Sequence, residues 1–389
     1  MRTTLLPLLL VVSAAAGCID LDTQYELKDL RILAMRLDPP EVLYSPFLSL
    51  PADQRPPAAF RPPPPFPPAE QELTATVLAV DPRSDAPVEF TSFVCPLDSN
   101  NDCRNYVVPE DLARTEREPE ALQQALAPLV TRRTTSVPTT DDGGTLQGEL
   151  GRFAFSERAI EYILPHEPSG AAFILLQQLG RIVTYAEREG IREVAFRRIP
   201  FGPYLDLSFL PPDVQTAFED FLGIDVCTAE QTAARDPSCL WQATANRNPV
   251  IEEMRISRDT TIKPVYDEAG LDSREVGEVV SGPIALAPGE EIRLWPVLAA
   301  DVREAYQSLN FDLQTSSLNL QNYVEDMAIS WYATRDFPVP PVTDLTLSLG
   351  YSATYVYPEV DPPDEVRIYL VVLDQRGGVA WQMVVLTRG

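Results

Sequence analysis

Histidine occurs once in this chain of 389 residues, at position 166, and glycine only 18 times. One imidazole excludes a metal site built from several histidines and leaves a single candidate for His-dependent catalysis. His166 stands in Pro165-His166-Glu167-Pro168, the setting of an exposed loop residue, and no Gly-x-Ser-x-Gly elbow accompanies it. There is neither a Walker loop nor a dinucleotide glycine fingerprint, so no nucleotide cofactor is expected, and no other cofactor is indicated. Positive charge is also scarce. Lys and Arg total 31 against 57 Asp and Glu, a formal charge of −26. Phosphate recognition needs a basic face, so nucleic acid is not an expected partner, and electrostatic docking to anionic lipid is disfavoured for the same reason. No segment reaches the ~20 consecutive apolar residues of a membrane-spanning helix. What the chain does have is 45% hydrophobic residues, enough for a real core, and a length that points to about two domains at roughly 100–200 residues each.

The N-terminus reads as an address. Met1-Arg2 carries a positive charge, residues 5–16 form an apolar run broken by Pro7 and Ser13, and Ala15-Ala16-Gly17 precede Cys18. A charged start, a short apolar stretch and small residues before the cut describe a secretory signal over residues 1–17. Small residues directly ahead of a cysteine resemble the lipobox of bacterial lipoproteins, with Ala15 where that family usually has Leu. The resemblance implies that the Cys18 thiol carries diacylglycerol and that residues 18–28 form a lipidated tether, the lipid being the contact with the membrane. Ile19 replaces the Asp that retains many such proteins in the inner membrane, which by the same resemblance implies the outer membrane, facing the periplasm or the surface.

Cysteine parity fits export. The five cysteines are Cys18, Cys95, Cys103, Cys227 and Cys239. With Cys18 lipidated, four remain, and four allow three connectivities. Closeness in sequence favours Cys95–Cys103 and Cys227–Cys239, each closing a short loop in an oxidising compartment.

Proline accounts for 38 residues, about twice the ~5% of average usage. Proline fits poorly inside helices and central strands, so the frame is expected to be mainly β: two Ig-like or fibronectin-like sandwich units with helical inserts and a Pro-rich loop. Residues 39–68 hold 12 prolines, a composition for a long loop or stiff spacer. Strands are read at residues 30–37, 73–80 and 88–95, and again at 250–257, 291–300, 327–333, 366–373 and 379–386. The last two flank Asp374-Gln375-Arg376-Gly377-Gly378 and form a hairpin. Helices are read within 109–132, at 156–163 and at 211–222, with 171–179 open to helix or buried strand. The first sandwich is placed at 29–200, a helical bridge containing one disulfide loop at 201–246, and the second sandwich at 247–389.

The halves can be slid onto each other. Met35-Arg36-Leu37 matches Met254-Arg255-Ile256 at an offset of 219, and Val77-Leu78-Ala79 with Asp81 matches Val297-Leu298-Ala299 with Asp301 at 220. Residues 181–186 and 193–199, joined around Gly190, are the first unit's counterpart of the final hairpin. The agreement points to an internal duplication. Trp331 falls in the third strand of its unit, where Ig-like folds often bury a Trp.

The lipobox, an opening strand that ends in Asp38-Pro39-Pro40-Glu41-Val42, and Asn246-Arg247-Asn248-Pro249 ahead of the second sandwich together resemble uncharacterised lipoproteins of myxobacteria. These motifs are structural rather than chemical. The resemblance implies a lipid-anchored, Ig-like envelope protein and no activity.

Three groups of residues carry candidate chemistry. Asp98, Asn100 and Asp102 alternate between Cys95 and Cys103, and alternating oxygen ligands can converge on Ca²⁺. The EF-hand pattern fails, however, because Cys103 occupies the position of the required Gly, and Asp and Asn also favour plain turns. Paired carboxylates occur at Asp141-Asp142, Glu252-Glu253 and Glu290-Glu291, but strand neighbours point to opposite faces. The expected role is therefore non-enzymatic: binding, adhesion or assembly with an envelope protein or glycan. The alternative is a carboxylate-dependent, carbohydrate-active hydrolase, which would need two acids facing each other in a pocket.

Overall fold

Strand after strand of this chain alternates buried and half-exposed side chains, as the period of two requires. In the strand Met327–Ala333, residues Met327, Ile329, Trp331 and Ala333 point inward and the three between them do not. The computed structural model describes residues 27, 29–44, 70–82, 86–96, 124–136, 144–163, 178–188, 190–203, 211–241, 246–262, 264, 276–312, 317–335 and 352–389. It is mainly β. The first unit has β1 (Arg31–Asp38), β2 (Val42–Tyr44), β3 (Glu70–Asp81), β4 (Pro87–Pro96), β5 (Val130–Ser136), β6 (Gly144–Ser156), β7 (Gln178–Arg188) and β8 (Ile191–Pro203). Its two sheets run β1-β3-β6 and β2-β8-β7-β4-β5. The second unit has β9 (Ile251–Ser257), β10 (Glu278–Val279), β11 (Ile284–Leu286), β12 (Glu291–Leu298), β13 (Ala305–Asp312), β14 (Ser317–Val324), β15 (Met327–Ala333), β16 (Ala353–Val356), β17 (Glu365–Asp374) and β18 (Val379–Arg388). Its sheets run β10-β9-β12-β16 and β11-β18-β17-β15, with β13-β14 as a separate ribbon.

The two units share one plan. In each, the opening strand pairs with the second long strand, which pairs with a later one: β1-β3-β6 and β9-β12-β16. In each, a short strand lies parallel to the last strand, β2 on β8 and β11 on β18, and the last strand continues antiparallel through β7-β4 or β17-β15. This is the two-sheet Ig-like arrangement. Each sandwich closes over its own core, one containing Leu37, Val77, Phe90, Phe153 and Phe201, the other Met254, Leu294, Trp331, Tyr355 and Leu370.

The ladders refine the internal match. Met35 faces Val77, and Met254 faces Pro296, so both strand pairs are related by 219 positions. The match of Val77 to Val297 at 220 is one residue out of register, and a one-residue slip turns every side chain to the other face. The environments agree with this correction: Asp81 is fully buried and ion-paired with buried Arg188, whereas the Asp301 side chain is 70% exposed.

Where strands read as continuous apolar runs, both faces are covered. In β3, Leu73, Ala75, Val77 and Ala79 fill the first sandwich, while Leu78 and Val80 point the other way. In β17, Val366, Ile368, Leu370 and Val372 fill the second, while Tyr369 and Val371 point outward. These outer faces meet. Ala34, Leu78 and Val80 pack with Tyr369, Val371 and Val379, and Leu27 joins them, forming a third apolar core between the units. Trp381 Nε1 donates to Gln147 Oε1 at 3.2 Å across the same seam, and the Thr145 and Tyr369 hydroxyls are hydrogen-bonded there. Leu27 N donates to the carbonyl oxygen of Ala333 at 3.0 Å, tying the segment before β1 to the second unit.

Several local elements differ from the expectation. Residues 130–132, read as helix, form the start of β5, whose threonines and arginines pair along β4; only a helical turn at 124–126 and a 3-10 turn Ala127–Leu129 remain of that helix among the described residues. The helix at 156–163 is confirmed as α1 (Glu157–Ile163), with Ser156 Oγ accepting from Ala159 N at 3.2 Å. Residues 178–179 belong to β7, not a helix. β2 lies within the proline-rich stretch, at the edge of its sheet, where missing N–H donors cost least. The bridge holds two helices rather than one. α2 (Pro212–Leu222) ends on Gly223 at φ 63°, and α3 (Ala229–Ala233) starts at a capping box between Thr228 and Gln231.

Candidate functional site at the junction of the two sandwiches

The two motifs read from the sequence as structural come together. Glu41 follows β1, where the chain crosses from one sheet of the first sandwich to the other, and it is only 2% exposed. Asn246 opens the segment that enters the second sandwich, and its backbone N–H donates to Glu41 Oε1 at 2.7 Å. Arg376, at the tip of the β17–β18 hairpin, grips both oxygens of Glu41 at 3.0 and 3.1 Å. Both contacts come from Nη2, one donor nitrogen shared between the two oxygens in a charge-assisted pair. Asn248 completes the clamp: its Nδ2 donates to the carbonyl oxygen of Leu37 at 2.8 Å, and its Oδ1 accepts from Val379 N at 2.9 Å. The linker is thus tied to the first unit by one end of a side chain and to the second by the other.

The hairpin tip is itself organised by Asp374. Its Oδ1 accepts from Gly378 N at 2.6 Å, and Asn246 Nδ2 lies 3.3 and 3.4 Å from its two oxygens. Gly378 leaves no room for a side chain, since a Cβ there would collide with Asp374 Oδ2.

Carboxylates outnumber cations at this site. Arg376 Nη1 is 3.4 Å from Glu304 Oε2 and 3.6 Å from Glu325 Oε1, so one guanidinium faces Glu41, Glu304 and Glu325 together. Arg247 approaches Glu304 from the solvent side and pairs with Asp301 at 2.9 Å. Burial pushes the Glu325 carboxyl up to about 8, with the charges of Asp374 and Glu304 adding to the rise and Arg376 opposing it. Burial also raises Glu41 and Asp374, against Arg376 and the hydrogen bonds of Gly378 respectively. Arg197, reaching in from β8, is lowered to about 10 by burial, with Asp374 pulling it back. At neutral pH the Glu325 carboxyl is therefore mostly protonated.

Beside this cluster stands the ribbon. Glu325 N donates to Glu304 O at 3.0 Å and Arg303 Nε to Glu325 O at 2.8 Å, closing its root. The two strands pair over eight positions without a bulge. Tyr306 and Tyr323, directly opposite, stack at 5.4 Å, and Gln307 Nε2 donates to Asn322 Oδ1 at 2.8 Å. Tyr306 lies under Arg376, whose guanidinium is 5.4 Å from the ring centroid. β13 is braced by the bridge: Trp241 N donates to Gln307 Oε1 at 2.6 Å, and Gln307 Nε2 to Cys239 O at 3.1 Å. β14 is not braced in this way. Gln321, Asn322, Tyr323 and Val324 are all exposed, although neighbours point to opposite faces.

Of the residues singled out in the sequence, Cys227 and Cys239 form a disulfide with a Cα–Cα distance of 5.1 Å, packed on Trp241. Cys95 is the last residue but one of β4, buried and disulfide-bonded. Cys18, Cys103, Asp98, Asn100, Asp102, His166, Asp141 and Asp142 lie outside the described residues. Two carboxylate pairs serve local structure. Glu253 Oε1 holds Arg255 at 2.7 Å, and Glu290 Oε2 accepts from Ala287 N at 2.8 Å to close the turn into β12. Among the described residues, no group of three or more His, Cys, Asp or Glu is placed to hold a metal ion, and no helix is long and apolar enough to cross a membrane. A groove of about 400 Å³ lies elsewhere, along β9, β10 and β11, lined by Ser257, Arg258, Glu278 and Val279 among others.

The ribbon and the ion cluster were missed in the sequence. The ribbon's apolar pattern is diluted by Gln, Asn and Ser, and Glu325 follows directly with no motif around it.

No known protein family model matches the chain, and no curated protein matches it. Solved structures give slight likenesses. The YadV chaperone is 8% identical with a TM-score of 0.20, over 90% of this chain and 99% of that one. The CsuC–CsuE chaperone–tip adhesion subunit complex of Acinetobacter baumannii is 10% identical with a TM-score of 0.16, over 82% and 92%. The C-terminal domain of the antigen I/II-family protein AspA of Streptococcus pyogenes is 8% identical with a TM-score of 0.16, over 82% and 93%. Likenesses this slight do not bear on the role of the chain, and the fold rests on the sheets described above.

Proposed function

We propose that this chain is a lipid-anchored protein of the bacterial cell envelope, held in the outer membrane through Cys18, that works as a non-enzymatic binding, adhesion or assembly module. The observation that carries the binding role is the ribbon. A two-stranded element stands beside the locked junction of two sandwiches, with one strand braced and the other exposed on both faces from Gln321 to Val324. Strand edges of this kind present main-chain donors and acceptors to a partner. The carboxylates with raised pKa favour this role over a hydrolase. They converge on Arg376 and Asn246 inside the junction, whereas glycoside hydrolysis needs two acids on either side of a substrate.

The lipid anchor rests on the residues around Cys18. Cys18→Ala is expected to move the protein from the membrane to the soluble fraction, and unchanged retention would refute the anchor. The binding role is tested by placing a photo-cross-linking side chain at Gln321 and, as a control, at Val360, which is 85% exposed far along the chain from the ribbon. In intact envelopes the Gln321 variant is expected to give a discrete adduct absent from the Val360 variant. Identical patterns, or none at either site, would contradict the binding role.

A further inference from the structure

We infer that the partner of the β14 edge is a second copy of this chain, the two β14 strands pairing antiparallel across a two-fold axis to make a four-stranded sheet. The inference rests on the binding role proposed for the ribbon and names its partner. Three observations carry it.

The first is the open edge. Among the described residues β14 pairs with β13 and with no other strand, over eight residues or about 27 Å at ~3.4 Å per residue. Natural edges of this length are usually blunted by Lys, Pro, a bulge or an inward charge. β14, Ser317–Val324, contains no Lys, Arg, Asp, Glu or Pro, and its ladder runs unbroken.

The second is charge. Each copy carries a formal charge of −26, so two copies repel except where their facing surfaces are neutral. The ribbon is such a place: residues 305–324 hold one charged side chain, Asp312, in a chain that is 23% charged. A partner recognised through its basic residues would instead meet acids on the edge. In the centred register Asn319 lies opposite Asn322 and Leu318 opposite Tyr323, with no like charges face to face.

The third is readiness. The Tyr306–Tyr323 stack, the Gln307–Asn322 hydrogen bond and the contact to Trp241 hold the ribbon in its strand geometry before any partner arrives, which lowers the ordering cost of pairing. A two-fold contact uses the same edge twice and closes, leaving no open β14 edge for further growth.

The test is sedimentation of the purified full chain across a dilution series. The wild type is expected to sediment as a dimer. Asn319→Lys/Gln321→Lys, which puts two lysines on each edge in the way natural edges are blunted, is expected to sediment as a monomer with an unchanged unfolding midpoint. Val360→Lys is expected to remain a dimer. A monomeric wild type, or a dimer that survives the double Lys substitution, would overturn the inference. Cross-linking at Gln321 separates the two proposals: an adduct of twice the chain mass supports self-pairing. An adduct of another mass from a monomeric chain overturns it and leaves the binding role standing.

Discussion

Arg376 and Glu41 are 335 residues apart in sequence and meet in an ion pair, Nη2 lying 3.0 and 3.1 Å from the two carboxylate oxygens, one residue from the last hairpin of the chain and one from its first strand crossing. The pair is buried, with side-chain exposures of 10% and 1%. Buried pairs of this kind add little net stability over an apolar substitute, but breaking one partner leaves an uncompensated charge. Arg376→Ala is therefore expected to destabilise by about 3–5 kcal/mol in chemical denaturation. Arg376→Met with Glu41→Gln should recover much of that loss. A cost below about half a kcal/mol for Arg376→Ala would mean that the pair does not hold the junction.

Glu325 gives the junction a pH dependence of definite sign. Its pKa is raised from an ordinary 4.5 to about 8 in the fold, so between those values the unfolded chain has lost a proton that the folded chain keeps. Its contribution to stability is thus most favourable below about pH 4.5, declines as pH rises toward 8, and is level above that. Glu304, Asp374 and Arg376 face the carboxyl, and Tyr306 and Asp326 lie beside it. Glu325→Gln should leave stability little changed near pH 5 and raise it by a few kcal/mol at pH 9, since each tenfold change in proton affinity is worth about 1.4 kcal/mol. Equal wild-type and variant stabilities at both pH values would show that the carboxyl is not held protonated.

Gly277 lies against the indole of buried Trp295, at φ 74°, and a Cβ there would collide with the ring. Both the backbone conformation and the contact disfavour a side chain. Gly277→Ala should lower the unfolding free energy by about 1–3 kcal/mol, while Gly282→Ala, where nothing lies within 4 Å, should change it little. Equal effects at the two glycines would remove Trp295 from beneath the segment before β10.

Trp331, in β15, is fully buried in the second core, as expected of the strand read at 327–333. Trp331→Ala is expected to cost about 3–5 kcal/mol. A shift under half a kcal/mol would put the ring outside the core.

Reduction of Cys227–Cys239 tests the bridge. The loop spans 12 residues, for which loop-closure entropy predicts a loss of up to about 3 kcal/mol. Because Trp241 and Gln307 connect this loop to β13, the reduced protein should also lose order in the ribbon. Unchanged amide protection along β13 after reduction would contradict that coupling.

The sandwiches were legible where side chains alternate or run apolar: β15 and the final hairpin could be read from MAISWYA and from two Val-rich runs around Gly377-Gly378. The continuous apolar runs in β3 and β17 signal strands covered on both faces, and the second face is the seam between the units. β5 and β14 escaped because their side chains are largely Thr, Arg, Asn and Gln, so pairing with a neighbour, not burial, makes them strands. At the junction the residues Glu41 and Asn246 were visible as parts of motifs, but contacts over 205 and 335 positions follow from topology, which no local spacing encodes.

The two sandwiches form one body, joined by the third apolar core and the Glu41–Arg376 clamp. Scanning calorimetry of the full chain tests this most directly. One cooperative transition is expected, with calorimetric and van't Hoff enthalpies in agreement, giving way to two separate transitions in Arg376→Ala. Two independent transitions in the wild-type protein would contradict the joined arrangement.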